Sequence, residues 1–449
     1  MKVAKFGGSS VANATQIRKV GDIIKTDSTR KCIIVSAPGK RNSDDYKITD
    51  ILIRLGNAFK NNVSYEEELN IVIDRFSEII EELELPPSIL MDIEESIQGV
   101  LTNNNYSTTM KLDALKATGE DSLAKILSAY LSSIGLESNY VNPKEAGIIV
   151  TNDPGNAQIL DESFQNIYKL REKDGILVIP GFFGYTTNGG LITFSRGGSD
   201  ITGSIVAAGV KADLYENFTD VNSVYTVNPK FVDNPKEITT LTYKEMRELS
   251  YAGFSVFHDE ALIPAINEQI PVCIKNTNNP NLPGTHIIAE KKKDEKCVVG
   301  IASDTGFSSL YVSKYLMNQE VGFGRKLLQI IEDEDVSFEH APSGIDDLSV
   351  IIRESKLTSE KENNIVQRIK NELNPGTVTI QKNLAMIMVV GEGLMNTVGI
   401  AEKATAAFSQ ADVNIVMINQ GSSEVSLMFG VEKEDLARAL QSLYSAFFD

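Results

Sequence analysis

Short apolar runs alternate with segments of helical periodicity over residues 1–290. Met1–Phe6 and Lys31–Ser36 have the apolar character of buried strands. Between them, Ile17, Val20 and Ile24 recur at helical spacing. The pattern predicts four later strands, at Gly147–Val150, Gly175–Ile179, Asp213–Phe218 and Pro271–Lys275. Strands that alternate with helices predict an α/β fold whose largely parallel sheet is covered on both faces.

A change of character between residues 276 and 296 predicts a domain boundary. The run NTNNPNLPGT is rich in turn formers, and EKKKDEK is a run of charges. Beyond it, the order strand, helix, strand, strand, helix occurs twice, about 76 residues apart, which predicts a pair of small domains. The predicted elements are Gly306–Ser313, Gly322–Glu332, Val336–His340, Leu348–Arg353 and Ser359–Leu373 in the first copy, and Leu384–Gly391, Asn396–Gln410, Val413–Asn419, Ser426–Val431 and Glu434–Phe447 in the second.

The two copies are predicted to exchange a strand. Cys297–Ala302 reads as an additional strand before the first copy, and the second copy runs out of chain after its last helix. We therefore predict that this early strand completes the sheet of the second copy, so that the copies are interleaved. The segment Gln420–Glu424 is predicted to be a pairing hairpin.

Bulk properties disfavour several classes of protein. The 449 residues suffice for two to four domains. The net charge of −18 argues against a nucleic-acid partner, which requires clustered Lys and Arg. No apolar run approaches the length of a membrane span and no secretory signal is visible, so no membrane association is expected. Cys32, Cys273 and Cys297 lie far apart, which suggests neither a disulfide framework nor a CxxC metal site and indicates a reduced, cytoplasmic compartment.

Two glycine pairs follow predicted strands and lead into helices. In KFGGSS, Gly7 and Gly8 allow the backbone to approach a ligand, and Lys5 can reach a phosphate. In SRGGSD, Arg196 offers a planar fork that suits a carboxylate. Either motif alone also fits a tight turn or a helix N-cap, and neither is a Walker A or protein-kinase loop. Two such loops in one α/β domain favour an anion site.

Two further signals are weaker on their own. The polar strand end TDVNSVYT, at residues 219–226, suits a nucleotide ribose and base, but a plain turn fits it as well. Glu120 is predicted to open a helix, where a carboxylate either compensates the helix dipole or pairs with a substrate ammonium group.

Taken in order, the motifs resemble those of the aspartate kinases of the amino-acid-kinase family. They are KFGGSS, SAPG at 36–39, Gly-Glu at 119–120, PGF at 180–182, RGGSD at 196–200, TDVNSVYT and the C-terminal repeat. The resemblance implies a carbamate-kinase-like three-layer catalytic domain over 1–290. It further implies two interleaved ferredoxin-like ACT domains, over 306–380 and over 381–449 with strand 297–303. The implied reaction transfers the γ-phosphate of ATP to the β-carboxylate of L-aspartate, the first step toward lysine (the diaminopimelate route), threonine and methionine.

The resemblance also implies roles for individual residues. The implied catalytic set is Lys5, Gly7, Gly8 and Arg196. The implied aspartate-binding set is Ser36, Thr49, Glu120, Arg196 and Ser199, with Glu120 toward the α-ammonium and Arg196 toward the α-carboxylate. The implied nucleotide-binding set is Lys5, Gly7, Gly8, Ser9, Thr219, Asp220, Tyr225 and Lys230. The chain departs from the family at Ser255, where a lysine is common, and at Asn222, Ser223 and Lys230, which replace Asp, Gly and Arg.

The implied chemistry makes few demands on the protein. The β-carboxylate is ionised at neutral pH and is already a nucleophile, so no general base is required. Mg²⁺ is expected to arrive with ATP and to bridge its β- and γ-phosphates, and no tightly bound protein metal is expected.

The repeat is predicted to bind a regulatory amino acid and to pair subunits, as a dimer or a dimer of dimers. The implied effector-binding residues are Met317, Asn318, Gln319, Glu320, Gly322, Phe323, Ser337, Phe338 and Glu339. Lysine is preferred because two glutamates could pair with its side chain, while threonine, or both together, stays open; each glutamate also fits a solvated loop acid.

Two rival functions remain at this point. One is another amino-acid kinase on the same fold, such as glutamate or acetylglutamate kinase. The other is a catalytically silent amino-acid sensor, which Ser255 favours and the retained Lys5, Glu120, Arg196 and Asp220 disfavour.

Overall fold

The computed structural model describes residues 1–103, 106–195, 197–254, 259–291, 297–421 and 425–449, with the backbone alone for Asp259 and Glu260. The chain divides into two compact units. The first comprises Met1–Val224, Glu237–Tyr243 and the described part of Ser255–Lys291, and the second comprises Tyr225–Lys236, Lys244–Phe254 and the described part of Lys292–Asp449. Within these described ranges, no helix is long and apolar enough to cross a membrane.

An eight-stranded sheet lies at the centre of the first unit. The strands up to residue 288 are β1 (Lys2–Phe6), β2 (Arg30–Val35), β3 (Ser138–Tyr140), β4 (Ile176–Pro180), β5 (Phe183–Tyr185), β6 (Leu191–Thr193), β7 (Leu214–Thr219), β8 (Val224–Tyr225), β9 (Glu237–Ile238), β10 (Thr240–Thr242), β11 (Val272–Asn276) and β12 (Thr285–Ile288). The sheet has the order β10-β12-β11-β7-β1-β2-β4-β3, and β5 and β6 form a separate antiparallel pair. All neighbours in the large sheet are parallel except β11 and β12, which confirms the predicted α/β fold.

Helices cover both faces of this sheet. The helices up to residue 267 are α1 (Ala14–Lys25), α2 (Ile48–Lys60), α3 (Glu66–Glu82), α4 (Ser88–Thr102), α5 (Thr108–Ser133), α6 (Pro143–Ala146), α7 (Glu162–Tyr168), α8 (Gly198–Gly209), α9 (Tyr243–Tyr251) and α10 (Ile263–Asn267), with 3-10 turns at Gly8–Val11, Lys169–Glu172 and Asp259–Leu262. Of these, α9 belongs to the second unit from Lys244 onward. Ala4 and Phe6 join an apolar core with α1–α5. Because strand side chains alternate, Lys5 points to the opposite face, where α8 lies.

Two sequence-based expectations for this unit are wrong. Gly147–Val150 is not a strand; only isolated bridges at Ile149 and Val150 occur, because Gly147, with φ of +80°, caps α6. Glu120 does not open a helix but lies in the middle of α5. A Cβ on the preceding residue, Gly119, would lie 2.9 Å from the Ala37 Cβ. The glycine therefore lets α5 pack closely on the loop after β2.

The second unit is built on one antiparallel sheet of five strands. Its strands are β13 (Gly300–Ser313), β14 (Asp347–Arg353), β15 (Thr377–Val390), β16 (Met417–Asn419) and β17 (Ser426–Glu432), in the order β14-β13-β15-β17-β16. Its helices are α11 (Phe323–Asp333), α12 (Ser359–Leu373), α13 (Ile400–Gln410) and α14 (Leu436–Phe448), with 3-10 turns at Met317–Gln319, Glu354–Lys356, Glu392–Asn396 and Lys433–Asp435. The two predicted repeats therefore share a single sheet.

The predicted exchange of a strand is confirmed. Gly300–Thr305, at the start of β13, pairs with Ala385–Val390 of β15, which pairs in turn with β17 of the second copy. Ile301 accordingly lies in the same apolar core as α13 and α14, whereas Leu310, further along the same strand, packs with α11 and α12. Each copy has its own core but not its own strands.

Three details of the repeat differ from expectation or lie outside the described residues. The predicted strands Cys297–Ala302 and Gly306–Ser313 merge into one continuous strand that begins at Gly300, with a register shift next to Gly306 (φ +84°). Val336–His340 is not a strand; its backbone bonds to the sheet at Ile351, through Glu339 and His340 at the end of the segment. Residues 422–424 of the predicted hairpin lie outside the described ranges.

Candidate active site

The predicted site residues of the first unit gather at one edge of its sheet. Strands β1, β2, β4 and β7 are parallel neighbours, so their carboxyl ends open on the same side. Gly7 follows β1, Ser36 follows β2, Gly181 follows β4 and Thr219 ends β7. Ligands of open α/β sheets bind outside this edge.

The loops after β1 and β2 are in direct backbone contact. The N–H of Gly7 donates to Phe218 O at 3.0 Å, and the N–H of Gly39 donates to Gly8 O at 2.9 Å. A Cβ on Gly39 would lie 2.6 Å from the Gly8 carbonyl carbon, a separation that no side chain tolerates. Ser9 is exposed in the 3-10 turn that follows. The glycines of KFGGSS and SAPG thus allow the two loops to pack directly against each other.

Lys5 lies near the carboxyl end of β1, in a buried polar cluster below this edge of the sheet. Its ammonium forms an ion pair of 2.7 Å with Asp200 Oδ1, and the same oxygen accepts a hydrogen bond of 2.6 Å from Asn217 Nδ2. Lys5 and Asn217 are each less than a tenth exposed. Asp200 stands in the first turn of α8, where its charge also complements the helix dipole.

Glu120 presents a buried carboxyl group beside the loop after β2. Burial raises its pKa to about 8, although the N–H groups of Ala37 and of Glu120 itself, and the charges of Lys5 and Lys116, act in the opposite direction. Among the described residues, its Oε2 has no hydrogen-bond partner. An orphaned buried carboxylate oxygen is suited to a cationic ligand group.

The remaining predicted aspartate-binding residues border the same edge. Ser199 is buried in the first turn of α8, and a Cβ on Gly181 would lie 2.7 Å from the Ser199 Cβ, so the glycine permits their contact. Thr49 is half-buried in the first turn of α2, whose first N–H, of Ile48, donates to Pro38 O at 3.0 Å. Ser36 is also half-buried. Arg196 lies outside the described residues, as does Ser255.

The predicted nucleotide-binding residues divide between the units. Thr219 Oγ1 donates to Asp220 Oδ1 at 3.1 Å, and the Asp220 carbonyl accepts from Asn276 Nδ2 at 3.2 Å. Both therefore lie at the carboxyl edge of the first unit. Tyr225 and Lys230 belong to the second unit, where Tyr225 is half-buried and Lys230 is exposed.

The predicted effector residues lie in the first ACT half of the second unit. Gly322, with φ of +81°, precedes α11, and the buried Phe323 begins that helix. Met317 is buried in a 3-10 turn with Asn318 and Gln319. Ser337 and Phe338 are exposed in the irregular segment after α11.

Both predicted effector glutamates already have cationic partners. Glu320 contacts Lys314 at 2.6 Å and Lys326 at 3.2 Å, and these hydrogen bonds lower the pKa of its carboxyl. Glu339 contacts Arg353 Nε at 3.0 Å. An effector ammonium group would therefore have to share or displace a protein cation at either position.

Sequence reasoning did not assign a role to Asp200 or Asn217. Asp200 was part of the SRGGSD motif, but its pairing with Lys5 required the fold. Asn217 carried a signal of its own, since Glu216 and Asn217 interrupt the apolar strand LYENFT with two buried polar side chains. Glu216 is accounted for separately by a bidentate ion pair with Arg30, at 2.6 and 3.0 Å.

No metal centre was found in the residues that the structure describes: they contain no group of three or more His, Cys, Asp or Glu side chains that could hold an ion.

The chain is similar to known proteins along its whole length. The amino acid kinase family model matches residues 1–276, and an ACT domain model matches residues 387–447. Aspartokinase 3 of Bacillus subtilis is 53% identical over 448 residues, which cover 100% of this chain and 99% of that protein. The aspartate kinase crystal structure from Clostridium acetobutylicum is 40% identical, with a TM-score of 0.88 and 100% of both chains covered.

The fold is also that of a more distant structure. Aspartokinase III of E. coli, solved in complex with aspartate and ADP, is 22% identical, with a TM-score of 0.80 over 100% of both chains. With the family model over most of its length and a full-length relative at 53% identity, the chain belongs to the aspartate kinases of the amino acid kinase family.

Proposed function

We propose that this chain transfers the γ-phosphoryl group of ATP to the β-carboxylate of L-aspartate, which yields 4-phospho-L-aspartate and ADP. The observation that carries the proposal is the unpartnered, buried Oε2 of Glu120, at the sheet edge that also holds Lys5. When ionised, a buried carboxylate requires a cationic partner. A small anionic substrate that also carries an ammonium group is an amino acid. Aspartate supplies that ammonium group and keeps its β-carboxylate free.

The aspartate would be oriented by an acidic group that binds its ammonium group and by a basic group that binds its α-carboxylate. Glu120 pairs with its α-ammonium group, while the hydroxyl groups of Ser36, Thr49 and Ser199 help to hold the aspartate by hydrogen bonds. Arg196 is expected to pair with the α-carboxylate through its planar fork, a role that rests on the family resemblance. The β-carboxylate then faces the glycine loop.

Phosphoryl transfer is mainly a matter of alignment and of charge cancellation on the transferred group. Lys5, fixed by Asp200, supplies a point charge, and the backbone N–H groups around Gly7, Gly8 and Ser9 supply hydrogen bonds. Mg²⁺ enters as part of the MgATP substrate and neutralises charge on its β- and γ-phosphates. Thr219 and Asp220 lie where the nucleotide would reach the edge of β7; the roles of Tyr225 and Lys230 remain those that the resemblance implies.

The product would enter the synthesis of lysine, threonine and methionine, and an end product would regulate the enzyme through the first ACT half. Lysine remains the preferred effector, because Glu320 and Glu339 could each exchange a protein cation for the effector side chain. We further propose that subunits pair through their ACT domains.

The test is turnover with MgATP and L-aspartate, with the acyl phosphate trapped by hydroxylamine, in the presence and absence of L-lysine. Aspartyl hydroxamate that falls with added lysine supports both the reaction and the effector. Activity that does not change with lysine supports the reaction but not the effector, and the same titration is then made with threonine and with lysine and threonine together. Product from glutamate or acetylglutamate alone overturns the substrate, and no product from any carboxylate overturns the kinase function.

A further inference from the structure

Asn217 occupies an unusual position for an amide side chain. It lies inside β7, near the middle of the eight-stranded sheet, and is 3% exposed. Its backbone register partner on β1 is Lys5, so both side chains leave the sheet on the same face. An amide in such a setting is unfavourable unless it makes a specific hydrogen bond.

The amide of Asn217 makes that bond to the same atom that holds Lys5. Asp200 Oδ1 accepts from Asn217 Nδ2 at 2.6 Å and from Lys5 Nζ at 2.7 Å. A carboxylate oxygen has two lone pairs, so the two donors fill it. With one lone pair occupied by Asn217, the direction left for the lysine ammonium is fixed.

The backbone around Asp200 is also held, which leaves its side-chain torsion as the remaining freedom. Its N–H donates to Gly197 O at 2.8 Å, and its carbonyl accepts from Tyr215 Oη at 3.2 Å. The Asn217 amide therefore restrains the side-chain orientation of Asp200, and through it the ammonium of Lys5.

We propose that Asn217 is a positioning residue for phosphoryl transfer: it orients Asp200, which in turn aims the Lys5 ammonium at the transferred group. The inference rests on the proposed role of Lys5. Asn217 does not touch the substrate in this scheme, so it acts on turnover and not on affinity. A misplacement of about 1 Å at a catalytic charge costs up to about 10²-fold in rate.

The alternative is that Asn217 merely satisfies a buried carboxylate and supports the fold. The two accounts differ in their dependence on Lys5. A positioning residue loses its effect on kcat once Lys5 no longer presents its ammonium, whereas a structural residue keeps the same effect in any background.

The experiment measures kcat, both KM values and thermal stability for Asn217→Leu, alone and combined with Lys5→Arg, which keeps a cation but changes its geometry. Ser128→Ala is the matched control. Ser128, on α5, is a buried polar residue whose hydroxyl group hydrogen-bonds to that of Ser138 on β3, away from the site. Asn217→Ser, which is smaller, replaces Asn217→Leu if the leucine variant does not fold.

We expect Asn217→Leu to lower kcat by about 10- to 100-fold, with both KM values within about threefold of the parent. In the Lys5→Arg background the same substitution is expected to cost less than about threefold. An equal loss in both backgrounds, a loss confined to KM, or unchanged kcat overturns the proposal. Retained turnover in Lys5→Ala instead overturns the proposed role of Lys5, so the two failures are distinguishable.

Discussion

The carbonyl oxygen of Gly8 accepts a hydrogen bond of 2.9 Å from the N–H of Gly39, which joins the loops after two neighbouring strands. One loop carries the residues proposed to surround the phosphoryl group, and the other carries Ser36 and the Ala37 amide that faces Glu120. The phosphoryl-binding and aspartate-binding sides of the proposed site are therefore connected by backbone and not by side chains.

This contact makes Gly39 intolerant of any side chain. A Cβ at Gly39 would lie 2.6 Å from Gly8 C and 2.8 Å from Gly8 O, both backbone atoms. We expect Gly39→Ala to displace the loops, to lower the free energy of unfolding by about 1–3 kcal/mol and to reduce kcat by at least about tenfold. Gly99→Ala on α4 is the control, since nothing lies within 4 Å of its added Cβ. Parent-like turnover in Gly39→Ala would show that the two loops move independently.

Lys5 is expected to be required for turnover but not for folding. Lys5→Met keeps most of the side-chain volume and removes the charge, while Asn217 continues to donate to Asp200. We expect kcat to fall by about 10²- to 10³-fold, in the range of other removed electrostatic groups. Circular dichroism and the hydroxamate assay measure the two properties separately, and a variant that turns over normally would refute the electrostatic role.

Aspartate binding is expected to release a proton. With a pKa of about 8, Glu120 is mostly protonated in the free enzyme at neutral pH. An ammonium group beside it favours the ionised form, so binding at about pH 7 releases close to one proton and tightens as the pH rises toward 8. Calorimetric titrations in buffers of different ionisation enthalpy measure the release. Glu120→Gln, the neutral control, is expected to bind weakly and to release none; equal release in both proteins would place the proton elsewhere.

The same group makes the stability of the free enzyme depend on pH. Folding raises the Glu120 pKa from its ordinary value of 4.5 to about 8, so the folded state binds more protons than the unfolded chain in that interval. The contribution of Glu120 to stability therefore decreases as the pH rises, by up to about 1.4 kcal/mol per pH unit. Thermal midpoints of the parent and of Glu120→Gln between about pH 5 and pH 7 test the sign of this dependence. As the pH rises, the midpoint of the variant should increase relative to that of the parent. A difference that is constant with pH would contradict the shift.

The Arg30–Glu216 ion pair is expected to support the fold and not the reaction. The pair is buried, and strand alternation directs Glu216 away from the face that carries Asn217 and Lys5. Glu216→Leu leaves an uncompensated arginine and should cost about 3–5 kcal/mol of stability, whereas Arg30→Met combined with Glu216→Leu should restore most of it. Both proteins should keep kcat within about threefold of the parent. A large loss of kcat in the stable double variant would show that the ion pair also supports the reaction.

The sequence predicted those parts of the molecule that local patterns determine. Strands β1, β2, β4, β7 and β11 follow from apolar runs because a parallel strand is buried on both faces. The exchange of a strand between the ACT copies followed from the number of strands predicted in each copy, since an additional strand preceded the first copy and the second copy lacked one.

The parts that sequence did not predict depend on contacts between distant segments. Glu120 was predicted to open a helix, but it lies within α5, where the neighbouring Gly119 lets the loop at Ala37 approach the helix. Val336–His340 has the composition of a strand, yet its backbone bonds to the sheet only at its end, where Glu339 and His340 meet Ile351. The pairing of Asn217 with Asp200 joins a strand to a helix that begins well before it in the chain.

The two fourteen-residue strands β13 and β15, which pair with each other from end to end, have a consequence for the engineering of the repeat. A duplicated module that keeps its own strands can be excised or exchanged as a cassette. Here a cut between the copies would leave half of each long strand without its neighbour and expose unpaired edges, which favour aggregation. The two copies therefore have to be redesigned together as one piece, although the sequence reads as two.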